Sequence, residues 1–191
     1  MLSNDRNTFV DGDWVLRKVI NQKLCDSFDC GDSDLNEYFH DDAMQYKQEL
    51  LGQCYYLHEE SSPLYVLALL DFCNDSVRIE KYKRALEQYK DLIPIHEHKQ
   101  RYGSLPAVKL TRFGIQKEYQ GYGLGSNVLN MVKKFFTTDN RTGCRFITVD
   151  AYNTPRVISF YVKNGFKIFT DKDKDRKSRS MFFDLIRFQA D

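Results

Sequence analysis

The sequence predicts a single domain of the α/β class, with helices flanking a central sheet of six to seven strands. Its 191 residues, 22.5 kDa, correspond to one domain spanning 1–191. Strand-like and helix-like segments alternate through the second half of the chain. The seven residues from Leu64 to Leu70 form a continuous apolar run, which is typical of a strand covered on both faces. No polar or low-complexity linker suggests a domain boundary.

The first half predicts four elements. An aromatic and β-branched bias indicates a first strand. Apolar residues then recur at three- and four-residue steps, which indicates a helix that ends at Gly52. Two apolar segments on either side of a turn at Pro63 indicate a hairpin. The elements are a strand over 14–20, a helix from Asp32 or Ser33 to about Glu49, and strands over 53–58 and 64–72.

The segment 75–103 has no clear pattern of strands or helices except for a helix predicted over 81–89. Strands and helices alternate in the rest of the second half. Thr154 predicts a helix cap, Pro155 suits the first helical position, and Gly165 suits the left-handed residue that ends the helix. The mixed-charge run 171–179 is predicted to be a solvated connection. The elements are strands over 107–115, 145–150, 166–169 and 180–188, and helices over 124–137 and 155–164.

Cysteine usage and hydropathy indicate a cytoplasmic protein. The five cysteines are an odd number without a C-x-x-C pair, which argues against a disulfide scaffold or a zinc ribbon. The N-terminus is polar and acidic, unlike a signal peptide, and the longest apolar run is too short to span a bilayer. We therefore expect no membrane partner.

The net charge of +1 hides an asymmetry. The first sixty residues hold five basic and thirteen acidic side chains, and the remainder holds twenty-three and fourteen. A basic remainder is consistent with an anionic ligand, but also with opposite charges that face each other across the fold.

The stretch Gln120-Gly121-Tyr122-Gly123-Leu124-Gly125-Ser126 lies between a predicted strand and an amphipathic helix. Glycines tolerate positive φ and leave room for a ligand. The first amides of a helix lack intrahelical partners and lie at the positive end of its dipole, so the loop suits a pyrophosphate. It fits neither the dinucleotide fingerprint, which needs glycine at Ser126, nor a P-loop, which needs lysine. A plain tight turn remains the alternative.

A metal site is not predicted. His96-Glu97-His98 has the residue types but not the spacing of a zinc motif. Neither Cys30 nor Cys144 lies in a local signature of a nucleophile.

The glycine stretch resembles the [QR]-x-x-G-x-[GA] signature of the GNAT superfamily of N-acetyltransferases. Ser159-Phe160-Tyr161-Val162-Lys163-Asn164-Gly165-Phe166 resembles the F-Y-x-x-x-G-F segment of that family, at the expected distance, and Asn153 follows the fifth strand as in relatives. The matched order of elements covers about 105–169, a third of the chain.

The resemblance implies a mixed, V-splayed sheet that binds acetyl-CoA. Strand residues would pair with the pantetheine arm, the loop amides would bind the pyrophosphate, and Asn153 would contact the pantetheine region. Tyr161 would protonate the thiolate that leaves when an amine attacks the thioester. Tyr122 stands where many relatives carry a basic residue, which puts the affinity for the cofactor in question. The implied cofactor-binding residues are Phe113, Ile115, Gln120, Gly121, Tyr122, Gly123, Leu124, Gly125, Ser126 and Asn153.

No residue is identified as the general base. Glu118 precedes the loop, but solvation alone also explains a glutamate at that position. Asp150 and a water relay are no better supported, and a neutral amine needs no strong base.

A second resemblance, in the N-terminal part of the chain, concerns the substrate that accepts the acetyl group. The stretch Phe28–Tyr38 resembles an F-x-[CS]-G-x-x-x-L-N-x-aromatic segment of a GNAT subgroup that includes toxins of toxin–antitoxin pairs, which acetylate charged tRNA. Leu110–Ile115 is similar to the L-x-R-[LF]-x-[VI] strand of that subgroup. A tRNA acceptor predicts a basic surface, for which Lys172, Lys174, Arg176, Lys177 and Arg179 are candidates.

The sequence thus predicts a cytoplasmic N-acetyltransferase that transfers an acetyl group to a primary amine by direct attack in a ternary complex. The acceptor is a small-molecule or peptide amine. An aminoacyl-tRNA-acetylating toxin, with tRNA and an antitoxin as partners, is one alternative. A non-catalytic module that binds acyl-CoA is another, and a homodimer is left open.

Overall fold

The computed structural model describes residues 8–79, 103–138 and 142–188. Its strands follow the order β1-β2-β3-β4-β5-β6-β8-β7 in one sheet. The strands are β1 (Thr8–Asp11), β2 (Trp14–Lys18), β3 (Gln53–Glu59), β4 (Ala68–Arg78), β5 (Ser104–Ile115), β6 (Phe146–Tyr152), β7 (Lys167–Ile168) and β8 (Ser178–Asp184). The helices are α1 (Ser33–Glu37), α2 (Ala43–Gln48), α3 (Leu124–Thr137) and α4 (Pro155–Lys163).

The chain forms two compact units, and the first comprises Met1–Cys73 and Leu110–Met131. Its strands pair antiparallel: Val15 lies opposite His58, and Leu57 lies opposite Ala68 in the predicted hairpin. Its core combines sheet residues with α1, α2 and the turn before them, including Phe28, Phe39 and Leu69. The rings of Phe28 and Phe39 meet edge to face at 5.6 Å, which adds to the stabilisation from burial.

The second unit comprises Asn74–Lys109 and Val132–Asp191. Arg145 N donates to Pro106 O at 2.9 Å, and Thr148 Oγ1 lies 3.4 Å from Val108 O. Both strands advance in the same direction between these contacts, so β5 and β6 are parallel. Strand β6 pairs antiparallel with β8. The predicted mixed sheet is therefore confirmed.

The helix boundaries that depend on local chemistry agree with prediction. Thr154 accepts a hydrogen bond from Val157 N, Pro155 is the first residue of α4, and Gly165 has φ +83°. Asp32 caps α1 by accepting from Leu35 N. However, the predicted helix from Asp32 to Glu49 is interrupted by a π-helical segment, Tyr38–Asp42.

Several strand predictions were wrong in extent. Within the described residues the sheet has eight strands rather than six or seven, because Thr8–Asp11 pairs with β2. The strand predicted from Leu64 begins at Ala68, because Tyr65 N donates to Ser62 O in a turn that leaves the Leu64 side chain 81% exposed. The last two strands are shorter than predicted: β7 covers Lys167–Ile168, and β8 ends at Asp184, where a 3₁₀ turn follows. The predicted helix over 81–89 and the segment His96–His98 lie outside the described residues.

The segment 171–179 is mostly exposed, as its charges predict, but Asp173 and Arg179 are exceptions. Asp173 is buried and accepts from Arg179 Nε at 2.7 Å and from Ser180 N at 2.8 Å. Arg179 also donates to Thr170 O at 3.0 Å. Burial is tolerated because both charges are paired and hydrogen-bonded. Arg179 is therefore removed from the predicted basic surface, whereas the other four cations of that surface are exposed.

Candidate functional site

The glycine loop of the first unit has the backbone geometry that the sequence predicts. After β5, a 3₁₀ turn covers Lys117–Tyr119, and α3 then begins at Leu124. Gly121 has φ +87° and Gly123 has φ +85°, a conformation that other residues adopt only with strain. A Cβ atom at either position would meet no atom within 4 Å. The glycines are therefore required by backbone conformation, and the space beside them is open.

The amides of this loop are available to a ligand. Ser126 N donates to Gly123 O at 3.0 Å, and Asn127 N donates to the same oxygen at 3.3 Å. Within residues 8–79, 103–138 and 142–188, the amides of Tyr122–Gly125 have no acceptor. They lie at the N-terminus of a 14-residue helix, whose dipole favours an anion. Leu124 is buried and anchors the start of the helix, so the donors are held in place.

The side-chain amide of Gln120 donates hydrogen bonds to two backbone carbonyls and so holds the start of the loop in place. Its Nε2 donates to Cys30 O at 2.7 Å and to Ile115 O at 3.0 Å. These bonds connect the loop to the end of β5 and to the turn before α1. The amide group thus has a structural role, and contact with a cofactor remains a prediction for this residue.

The strand that precedes the loop packs tightly against the 28–31 turn. A Cβ at Gly114 would lie 3.0 Å from the Phe28 ring and 3.1 Å from Cys30 Cβ. Sequence analysis assigned no role to this glycine, which permits close approach of β5 to the turn. The neighbouring Phe113 and Ile115 are half-buried. Their pairing with pantetheine remains a prediction.

The carboxylate of Glu118, a candidate general base, accepts a hydrogen bond from a tyrosine hydroxyl. Tyr65 OH donates to Glu118 Oε1 at 2.5 Å, and the carboxylate raises the pKa of Tyr65. The Tyr65 ring meets the Tyr119 ring edge to face at 6.0 Å. Tyr122 is 85% exposed, so its ring is free to contact a bound ligand. An exposed aromatic surface therefore adjoins the loop.

Sequence analysis missed a buried carboxylate in the first unit. Asp71 is 1% exposed, and Thr111 Oγ1 donates to its Oδ2 at 2.5 Å. Burial raises the pKa of Asp71 above its usual value. Asp71 Oδ1 and Tyr38 OH have no hydrogen-bond partner of good geometry in the described parts of the chain, although the two groups are near enough to influence each other's pKa. The sequence signal for this buried carboxylate was a single charged residue, Asp71, among the apolar residues at the start of β4.

Tyr161, in the second unit, lies in α4 and is 8% exposed. Its ring meets those of Phe160 and Phe166 edge to face, each at 5.2 Å. Burial raises the pKa of Tyr161. A raised pKa makes the phenol a weaker proton donor than a solvated tyrosine, and its role as general acid remains a prediction.

Asn153, in the same unit as Tyr161, holds the segment 171–179. Its Nδ2 donates to Lys174 O at 2.7 Å and to Arg176 O at 2.9 Å, and its backbone amide donates to Lys177 O at 2.9 Å. The side chain thus has a structural reason to be there, and its contact with pantetheine remains a prediction.

Two features are absent from residues 8–79, 103–138 and 142–188. No group of three or more His, Cys, Asp or Glu side chains in those ranges is arranged to hold a metal ion. Likewise, none of the described helices is long and apolar enough to cross a membrane.

Comparison with known proteins identifies the fold but not a closely related sequence. No family model and no curated protein matches the chain. A structure described as a bacterial toxin has a TM-score of 0.69 at 15% identity, covering 90% of this chain and 91% of the other. A variant of KacT with phenylalanine in place of a tyrosine has a TM-score of 0.67 at 18% identity, covering 91% and 96%. AtaT complexed with acetyl-methionyl-tRNAfMet has a TM-score of 0.62 at 18% identity, covering 91% and 96%. These likenesses confirm the predicted GNAT fold.

Proposed function

We propose that this chain is an acetyl-CoA-dependent N-acetyltransferase. The observation that carries the proposal is the loop of amides without acceptors, Tyr122–Gly125, at the start of α3. Its geometry fits the pyrophosphate of coenzyme A, because backbone donors and a helix dipole stabilise phosphate without a cationic side chain. Structures with the same fold support the proposal, since one is described as AtaTR bound with acetyl-CoA.

The proposed reaction assigns separate roles to the glycine loop, Tyr161 and Asn153. Acetyl-CoA supplies the activated acetyl group, and the loop holds it in place. Tyr161 donates its proton to the leaving sulfur as the amine attacks and the carbon–sulfur bond breaks. Asn153 holds the segment 171–179, which follows β7. Much of the rate enhancement comes from holding the amine and the thioester together.

We further propose that the acceptor amine is the α-amino group of an aminoacyl-tRNA. Three observations support this acceptor over a free small molecule or peptide. AtaT, which has the same fold, is described in complex with acetyl-methionyl-tRNAfMet. The segment 28–38 resembles the toxin subgroup, and a hydrogen bond joins two of the residues that carry the resemblance: Cys30 N donates to Asn36 Oδ1 at 3.0 Å. Four exposed cations in 171–179 outnumber its two exposed carboxylates, as phosphate contact requires.

An antitoxin partner and a cytoplasmic location belong to the same proposal. AtaT is described bound to the C-terminus of the antitoxin AtaR. A toxin that acetylates charged tRNA acts where translation occurs.

The direct test is release of free coenzyme A from acetyl-CoA in the presence of aminoacyl-tRNA or of simple amines. We expect turnover with wild-type protein and a fall in kcat of at least about 100-fold for Tyr161→Phe, with little change in KM for acetyl-CoA. Tyr56→Phe removes the hydroxyl of another buried tyrosine and should behave as wild type. Binding of acetyl-CoA without release by any acceptor would instead identify a non-catalytic sensor.

The toxin assignment has its own test. Induced expression of the wild-type chain should arrest growth, whereas Tyr161→Phe should not. Harmless expression of an active enzyme would exclude the toxin role while leaving the acetyltransferase intact.

A further inference from the structure

Three tyrosine side chains of the first unit are exposed beside the glycine loop. Tyr65 lies in the turn after β3, Tyr119 ends the 3₁₀ turn after β5, and Tyr122 lies in the loop itself. Single exposed apolar side chains are ordinary in proteins, whereas a group of them marks a surface that binds a ligand or a partner. We refer to these three side chains as the aromatic surface.

The rings of the aromatic surface lie close together. Those of Tyr65 and Tyr119 meet edge to face at 6.0 Å, and the Tyr65 hydroxyl is fixed by its hydrogen bond to Glu118. Tyr119 and Tyr122 are three positions apart, so their Cα atoms are separated by at most about 11 Å. The pair and the single ring therefore border the same part of the loop.

Tyr122 combines a backbone donor and an exposed ring in one residue. Its amide is one of those that have no acceptor in the described parts of the chain, and its side chain is 85% exposed. The positive φ angles of the loop belong to Gly121 and Gly123, not to Tyr122. The glycines thus determine the backbone conformation, and the fold does not require the Tyr122 ring.

The ligand proposed for the loop brings an aromatic base to this ring. Coenzyme A joins its pyrophosphate to adenine through a single ribose. Pyrophosphate bound to the amides of Tyr122–Gly125 therefore places the base within reach of the side chain at position 122. Aromatic side chains stack on every kind of base, because every base has a π face. Stacking would supply affinity that a cation at this position would otherwise supply through the phosphates.

We infer that Tyr122 stacks on the adenine of coenzyme A, with the Tyr65–Tyr119 pair bordering the bound nucleoside. The inference rests on the proposed function, since the loop amides must hold the pyrophosphate for the base to reach the ring. It names the contact by which the chain distinguishes coenzyme A from a pantetheine thioester that lacks the nucleotide. Arginine at position 122 would keep a flat face for the base and add a charge.

Binding is measured on the whole chain with two probes, coenzyme A by isothermal titration calorimetry and inorganic pyrophosphate by NMR titration of ¹⁵N-labelled protein. Both probes carry the group that the loop would bind, and only coenzyme A carries adenine. Tyr122→Ala should weaken coenzyme A binding about tenfold, the scale of one base stacked on an aromatic ring, and leave the Kd of pyrophosphate unchanged. Equal losses for both probes, or no loss for coenzyme A, would overturn the inference.

Two further variants separate stacking from general apolar contact. Tyr122→Phe keeps the flat ring and should bind coenzyme A as wild type does, whereas Tyr122→Leu keeps apolar bulk alone and should resemble Tyr122→Ala. Because the side chain is so exposed, urea unfolding should give similar free energies for all these proteins. In saturation-transfer difference NMR, the adenine H2 and H8 signals should be weaker with Tyr122→Leu than with wild type. Leucine and phenylalanine variants that bind equally well would contradict stacking.

The outcomes are separable from those of the proposed function and of its tRNA acceptor. A wild-type chain that binds neither probe would refute the loop and the proposed function with it. Turnover with equal coenzyme A affinity in wild type and Tyr122→Leu would keep the enzyme and refute the stacking, whereas affinity that depends on Tyr122 without any turnover would do the reverse. The proposed acceptor also ends in an adenosine. If Tyr122→Leu raises only the KM for aminoacyl-tRNA, the aromatic surface binds the acceptor and our assignment is wrong.

Discussion

Replacing Gly123 with alanine tests the loop on which the proposed function depends. Gly123 has φ +85°, and an added Cβ would touch nothing within 4 Å, so the cost is conformational rather than steric. A left-handed conformation costs an L-residue about 1–2 kcal/mol. For a chain of this length, that corresponds to a fall in Tm of roughly 2–8 °C. The chain also relieves strain by moving φ toward negative values, which misaligns the neighbouring amides.

The effect on cofactor binding should exceed the effect on stability. A hydrogen bond to a charged group contributes about 1.5–3 kcal/mol, so misaligning one amide of Tyr122–Gly125 should weaken acetyl-CoA binding about 10- to 100-fold. Isothermal titration calorimetry measures the affinity and urea unfolding the stability. Gly143→Ala is the matched control, because Gly143 has neither positive φ nor an atom within 4 Å of an added Cβ. If Gly123→Ala loses stability but binds acetyl-CoA as tightly as wild type, the loop is a structural turn and our assignment of the pyrophosphate site is wrong.

Three further predictions concern single side chains. Tyr122→Arg adds a cation beside the loop, so acetyl-CoA should bind several-fold more tightly and its Kd should become more dependent on salt; an unchanged Kd would place the phosphates elsewhere. Lys133 is buried, with its pKa lowered from 10.5 to about 8. The unfolded chain thus binds more protons between about pH 8 and 10.5, so stability should rise with pH there by up to about 3 kcal/mol, and Lys133→Met should lose that rise in urea unfolding. Burial raises the pKa of Asp71, so the folded state binds its proton more tightly and stability should fall as pH rises above 3.8. Asp71→Asn should remove this dependence and be at least as stable as wild type at pH 7; a large loss in thermal unfolding would show that the charge is needed.

Local chemistry made several elements predictable. Helix α3 has the predicted bounds because its apolar residues recur on one face and glycines precede it. Thr154, Pro155 and Gly165 determine the ends of α4 through interactions within a few residues. The conformation of Gly121 and Gly123 follows from the same kind of short-range constraint. The GNAT resemblance rested on these segments, and the structural comparisons confirm its fold.

Contacts between distant strands were not predictable from patterns along the chain. Charge alone suggested a solvated run over 171–179, but antiparallel pairing of β8 and the turn after β7 bring Asp173 and Arg179 together and bury both. Likewise, the Glu118 carboxylate accepts a hydrogen bond from Tyr65, which lies 53 positions away along the chain.

The sequence by itself determined where helices begin and end and where backbone amides are exposed, because these properties depend on neighbours within one or two turns. Only the tertiary structure decided which charges are buried and which groups they contact. Asp75 and Thr148 are 73 positions apart and meet only because β4 and β6 flank β5 in the sheet. The free energy of a charge depends on the groups around it in space, and strand order rather than sequence spacing selects those groups.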